Sequence, residues 1–137
     1  MDTVAPEVVA ANFARQPAMA LIGASIRVLE AGRVEVSFPF RADLTQQDGF
    51  IHAGIIAAAA DSACGYAALS SMPAGSDVLS VEFKLNLLRP AAGERFVARA
   101  QVLKPGKTLT AVRADVFAFI GEEQRLIAAM QATMIRR

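Results

Sequence analysis

The stretch from Ile51 to Leu69 is the least polar part of the chain, and it holds one carboxylate, Asp61, and the chain's one histidine, His52. A run this long and this apolar has two outlets, a bilayer or the middle of a folded domain. An aspartate at its midpoint, and a composition rich in alanine rather than leucine, argue against a membrane span. A helix buried in a core is therefore predicted here, and the rest of the chain has to wrap it.

The wrapping material reads as strands. Ile26 to Leu29 and Val34 to Phe38 are strand-like runs joined by Ala31-Gly32, a hairpin. Beyond the helix, Ser80 to Leu87 alternates so that Val81, Phe83, Leu85 and Leu87 share a face, and Pro90 ends the run. Arg95–Leu103 and Thr108–Ile120 flank the turn Lys104-Pro105-Gly106-Lys107. Arg125–Ile135 suits helix or strand by propensity alone, but the turn-like Gly121-Glu122-Glu123-Gln124 before it predicts a strand. Pro6–Gln16 reads as a short helix with Val9 and Phe13 on one face, stopped by Pro17, and the segment 1–20 is expected to act as an accessory lid. The predicted order is helix, two strands, long helix, four strands. An α+β fold with one apolar helix on the concave face of a sheet buries every apolar stripe.

With 137 residues, 54% of them apolar, the chain fits one domain, 1–137, with a substantial core. A net charge of +1 gives no field that would favour nucleic acid or an anionic membrane, so neither is expected as a partner. One cysteine and one histidine offer no set of zinc ligands and no internal disulfide. Together with an N-terminus that lacks a basic leader before an apolar run, they predict a cytoplasmic protein.

Two features of the long helix carry chemistry. Asp61 has Ala57, Ala58, Cys64 and Gly65 at its three- and four-residue offsets, so its helical face is otherwise small. An isolated carboxylate on such a face suggests a crevice into which a ligand or a second chain fits, where burial would raise its pKa toward that of a general acid or base. The plainer alternative is a side chain reaching solvent past small neighbours, or bonded to a strand backbone. The second feature is Asp48-Gly49-Phe50-Ile51-His52-Ala53-Gly54, a flexible loop leading into the helix start. Free backbone N–H groups and the positive dipole end favour a developing oxyanion there, with the amides of Ala53 and Gly54 as candidates. His52, beside a helix start, is more ordinarily a structural hydrogen-bonding residue than a proton carrier. Ser62, Ser70 and Ser71 sit in no nucleophile elbow and are assigned to packing or capping.

The segment Gly49-Phe50-Ile51-His52-Ala53-Gly54, followed by Asp61, by Leu79-Ser80-Val81-Glu82-Phe83 and by Leu103-Lys104-Pro105-Gly106-Lys107-Thr108, resembles the hotdog-fold thioesterases of the phenylacetate-degradation (PaaI) type, from about Gly23 to the C-terminus. That resemblance implies an antiparallel sheet wrapped around one long central helix, dimers paired through an edge strand, homotetramers, active sites at subunit interfaces, and no metal or other cofactor. It implies an acyl-CoA thioesterase in which Asp61 is general base or nucleophile, the Ala53 N–H serves the oxyanion, Ser80 positions water or the carboxylate, and His52 shapes the loop and bonds the thioester. Gln46 stands where the family has asparagine, and Ala53 where it has the first glycine of His-Gly-Gly. Gly54 and Phe50 are expected to contact the acyl-CoA substrate, and Arg89, Lys104 and Lys107 to meet the CoA phosphates. The alternatives are a hydroxyacyl-thioester dehydratase or hydratase on the same fold and a non-catalytic acyl-CoA-binding module.

Overall fold

The structure, a computed structural model, describes residues 2–137, so Met1 of the N-terminal segment lies outside the described residues. Two short helices, α1 (Pro6–Ala14) and α2 (Pro17–Leu21), precede the hairpin β1 (Ser25–Glu30) and β2 (Arg33–Pro39). A single 3-10 turn at Ala42–Leu44 leads to the long helix α3 (Ala53–Ser70). Then follow β3 (Val78–Leu87), β4 (Arg95–Lys104), β5 (Leu109–Ile120) and β6 (Glu123–Arg136). The ambiguous C-terminal run is thus a strand: paired with β5 on one side and β3 on the other, it gains ladder hydrogen bonds that local helix propensity cannot match.

Pro17 does stop α1, and its fixed φ and missing N–H also let it open α2. The long helix starts at Ala53 instead of Ile51, because Ile51 is held in an extended bridge with Thr45 and its N–H donates to Ala91 O at 3.0 Å.

All six strands form one antiparallel sheet in the order β1-β2-β4-β5-β6-β3. Helix α3 lies in its concavity. Ile56, Ala59, Ala60, Ala63, Cys64 and Ala67 are fully or almost fully buried against Val34, Val36, Phe96, Val112, Val116, Met130 and Met134 of the strands. Small helix residues let the backbone sit close to the sheet, which is why an alanine-rich helix can be a core element here. This helix is long and apolar enough to cross a membrane by composition, yet 56% of it is buried inside the fold. On the other side of α3, Val9 and Phe13 of α1 are buried as their spacing predicts, Phe13 meeting Tyr66 edge-on at 5.6 Å between ring centroids.

One expectation fails. The apolar residues of β3 are not all covered, because β3 is an edge strand: Leu79, Val81, Phe83 and Leu87 are 51%, 54%, 45% and 57% exposed. Their alternation is also broken, since the register with β6 shifts between Ser80 and Glu82. Val81 is the extra residue of a β-bulge.

Candidate active site

The start of α3 is built by its own loop. Gln46 accepts through Oε1 from the Asp48 N–H at 2.6 Å and the Phe50 N–H at 3.3 Å, while its backbone N–H donates to Phe50 O at 2.8 Å. Gly49 turns the loop at φ 85°, a conformation that β-carbons resist. His52 caps the helix: its Nδ1 accepts the Gly54 N–H at 2.8 Å. An imidazole nitrogen that accepts a backbone N–H carries no proton, so neutral His52 holds its proton on Nε2 and presents a donor there.

This cap separates the two amides nominated by the sequence. The Gly54 N–H is consumed by His52, whereas the Ala53 N–H has no partner among the described residues. Ala53 is exposed and helical, and no residue other than glycine has a positive φ among those described, so its methyl group costs nothing in backbone conformation.

A cleft of about 510 Å³ opens beside this helix start, lined by Gln46, Phe50, His52, Ala53 and Ile56 on one wall. Its other wall is the end of β3 and the following segment, Leu87 to Ala91, with Ile127 and Ala128 of β6. The β5–β6 register skips at Ile127, whose carbonyl receives the N–H groups of Leu88 at 2.8 Å and Arg89 at 3.2 Å. Arg89 reaches the cleft, and its Nη1 is engaged with Leu126 O at 2.7 Å. The wall from Leu87 to Ala91 and the skip at Ile127 have no signal in the sequence, since both depend on strand register.

Asp61 is elsewhere. It lies eight residues along α3 from Ala53, about 12 Å at 1.5 Å per residue, and borders a second cavity of about 210 Å³. Asp61 is partly buried, and Ser80 Oγ donates to its Oδ1 at 2.6 Å. Strict alternation with Glu82, Lys84 and Asn86 would have turned Ser80 away from the helix. The bulge at Val81 reverses it: Ser80 pairs with buried Met134, and Glu82 with Thr133 on the opposite face. Asn12, Gln16, Ser62 and Tyr66 complete this cavity, a polar group that the sequence did not single out because α1 meets α3 only through the tertiary fold.

Within one chain, then, Asp61 and Ser80 come together, Gln46, Phe50, His52, Ala53 and Arg89 come together, and the two groups are apart. Lys104 and Lys107 belong to a third place. Their turn is at the end of the sheet where β3 begins, since Leu109 and Leu79 both pair with Ile135, while Arg89 follows the end of β3, about 26 Å away at 3.3 Å per residue. Lys104 Nζ is turned onto Pro105 O at 3.0 Å. Cys64 is buried behind Asp61; burial, helped by the Asp61 charge, pushes its thiol up to about 12, so it stays protonated and is no nucleophile.

One long helix laid in the curve of a six-stranded antiparallel sheet is the architecture of the hotdog class of proteins. The thioesterase superfamily matches residues 48–124, more than half of the chain, and the chain belongs to that family. Among solved structures it is similar to a thioesterase family protein from Silicibacter pomeroyi, with 55% identity, a TM-score of 0.91, and 93% of this chain and 94% of that one covered. The PaaI protein of the Escherichia coli phenylacetic acid degradation operon shares the fold, with a TM-score of 0.83 at 23% identity over 93% of this chain and 88% of that one. The medium/long-chain acyl-CoA thioesterase YigI of Escherichia coli is 29% identical over 61% of this chain and 60% of its own length. A Saccharolobus solfataricus protein with an inferred esterase activity is 36% identical over 64% of this chain. The chain spans 61% of that relative's length.

Proposed function

We propose that the chain is an acyl-CoA thioesterase whose active site is completed by a second copy. The observation that carries this is the separation of the two half-sites along α3: the Asp61 carboxyl group braced by Ser80 in one place, an unpartnered Ala53 amide in another. The exposed apolar edge of β3 offers the means of joining them. Antiparallel pairing of β3 with its copy sets the start of one strand, near Asp61 and Ser80, against the end of the other, near the partner's helix start. The same pairing brings the Arg89 end of one protomer toward the Lys104 and Lys107 end of the other, a basic rim for CoA phosphates. Pairs of such dimers would make the homotetramer, in the cytoplasm where CoA esters are handled.

The chemistry needs no metal or cofactor, because a thioester is already activated. As base, Asp61 takes a proton from water as the water oxygen bonds to the carbonyl carbon, the C–S bond breaks, and the proton passes to the departing CoA sulfur. As nucleophile, Asp61 itself forms the C–O bond as the C–S bond breaks, water protonates the departing sulfur, and a further water hydrolyses the mixed anhydride to free acid and Asp61. The Ala53 N–H, at the positive end of α3, receives the oxyanion, a contribution of roughly 2.7 to 4 kcal/mol. His52 Nε2–H and the Gln46 side-chain amide, whose Oε1 is occupied by the loop, are left as donors toward the thioester. The hydratase alternative requires a histidine base, and the Nδ1 bond to Gly54 makes His52 a donor.

Free-thiol release from short, medium and aryl acyl-CoAs tests the proposal. Wild type is expected to turn over, and Asp61→Asn to lose about 10²- to 10⁴-fold. Undiminished thiol release in Asp61→Asn overturns the role of Asp61. Wild-type binding of CoA esters without turnover favours a binding module instead.

A further inference from the structure

The cavity beside Asp61 is not the apolar slot that a plain alkyl chain would select. Its far wall is a fixed chain of hydrogen bonds between α1, the α1–α2 junction and α3. Ser62 Oγ donates to Gln16 Oε1 at 3.4 Å, Gln16 Nε2 donates to Tyr66 OH at 2.8 Å, and Tyr66 OH donates to Asn12 Oδ1 at 2.9 Å. Burial pushes the Tyr66 phenol above its usual range, so it remains a neutral donor. The direction of the chain fixes what is left over. The side-chain oxygens of Gln16, Tyr66 and Asn12 each receive a bond, whereas one N–H of Gln16 and both N–H groups of Asn12 have no partner among the described residues. Gln16 and Asn12 are partly buried and line the cavity, so these donors are available to a ligand within it. The Asp61 carboxylate borders the same space and opposes a second negative charge there, while Asp77, also at its edge, is paired with Arg137 at 3.4 Å.

Resting on the thioesterase reading above, we propose that Gln16, with Asn12, is the specificity-determining element of the Asp61 cavity, and that it selects short acyl groups carrying a neutral oxygen acceptor, a ketone, hydroxyl or amide, near their far end. Tyr66 is five residues from Asp61, so the wall is about 7.5 Å away along the helix axis, the reach of a short acyl chain. Long alkyl chains meet a wall of amides that they would strip of water without replacing its hydrogen bonds. Dicarboxylic acyl groups meet the like charge of Asp61.

The test compares 5-oxohexanoyl-CoA with hexanoyl-CoA and glutaryl-CoA by kcat/KM, and the matching non-hydrolysable S-(5-oxohexyl) and S-hexyl thioethers of CoA by calorimetric binding. Wild type is expected to favour the oxo compound by about tenfold or more in both measurements, the equivalent of one well-made hydrogen bond, and to hydrolyse glutaryl-CoA least. Gln16→Met, close in shape but without the amide, should bring the oxo/alkyl ratio to about one; Gln16→Glu, which keeps an acceptor for Ser62 but loses both N–H groups and the bond to Tyr66, should disfavour the oxo compound too. A role confined to holding α1 in place would lower all substrates alike. A wild-type preference for hexanoyl, or a ratio unchanged in Gln16→Met and Gln16→Glu, overturns the proposal. Thioether binding separates the two levels: an oxo preference that Gln16 controls, with no hydrolysis of any ester, sustains the pocket and sinks the enzyme, and hydrolysis with no oxo preference does the reverse.

Discussion

At the scale of single residues, the helix start depends on glycine 54 for a reason distinct from helix propensity. A β-carbon added at Gly54 would come to 3.0 Å from His52 Nδ1 and 3.3 Å from its Cε1, so the imidazole would have to leave its capping position. Gly54→Ala is expected to lower kcat by about tenfold or more through the displaced Nε2 donor, with an unfolding midpoint within about 1 kcal/mol of wild type, since alanine favours the helix while the lost cap opposes it. Unchanged kcat in steady-state assays would contradict the placement of His52. Cys64 offers a second check. A thiol of ordinary value ionises near 9.0 in the unfolded chain but stays protonated to about 12 in the fold. The folded-state value is the higher one, so the stabilisation is complete below pH 9 and is lost as pH rises from there toward 12. At pH 10.5 the loss is about 2 kcal/mol. Urea unfolding at pH 8 and 10.5 should show wild type declining by about that much more than Cys64→Ala; equal declines would refute the burial of the thiol.

At the scale of elements, β3 decides whether Asp61 has a companion. Its bulge at Val81 is what turns Ser80 toward the helix while Phe83 and Leu85, opposite Ala132 and Met130, still face the core side. Deleting Val81 leaves Ser80 opposite Met134 directly before Glu82 opposite Thr133, a regular ladder with the two still on opposite faces, so Ser80 is expected to stay beside Asp61 and thiol release to be retained. Thiol release that falls to the level of Ser80→Ala in the deletion variant would contradict Val81 as the extra residue. The same bulge limits what periodicity says about Ser80: alternation from Val81 to Leu87 is real, but it cannot be extended backwards through an inserted residue.

At the scale of the molecule, the proposed site belongs to no single chain, which makes complementation the decisive measurement. Asp61→Asn and Gly54→Ala each disable one half-site. When the two inactive or weakened variants are unfolded together and refolded at equal amounts, half of the dimers are mixed, and each mixed dimer holds one intact site, so about one quarter of wild-type activity should return. No recovery would place both half-sites in one protomer. Phe83→Lys on the exposed edge should yield monomers by light scattering and abolish turnover, with the fold retained by circular dichroism.

The sequence by itself determined the central helix, the strand count and the hairpins, because apolar periodicity and turn residues act over a few neighbours. It also singled out Asp61, His52 and Ala53, because a lone carboxylate among alanines and a glycine-bounded helix start are local anomalies, while Ser80 and Gln46 came only from the resemblance to PaaI-type thioesterases. What only the tertiary structure decided is who meets whom. That His52 occupies the Gly54 amide and leaves Ala53 free, that a bulge delivers Ser80 to Asp61, that Arg89 is remote from Lys107, and that Gln16 and Asn12 wall the second cavity all follow from strand register and from the docking of α1 on α3. Those are set by contacts between residues distant in the chain, and hydrogen bonds between such residues leave no period for a sequence to display.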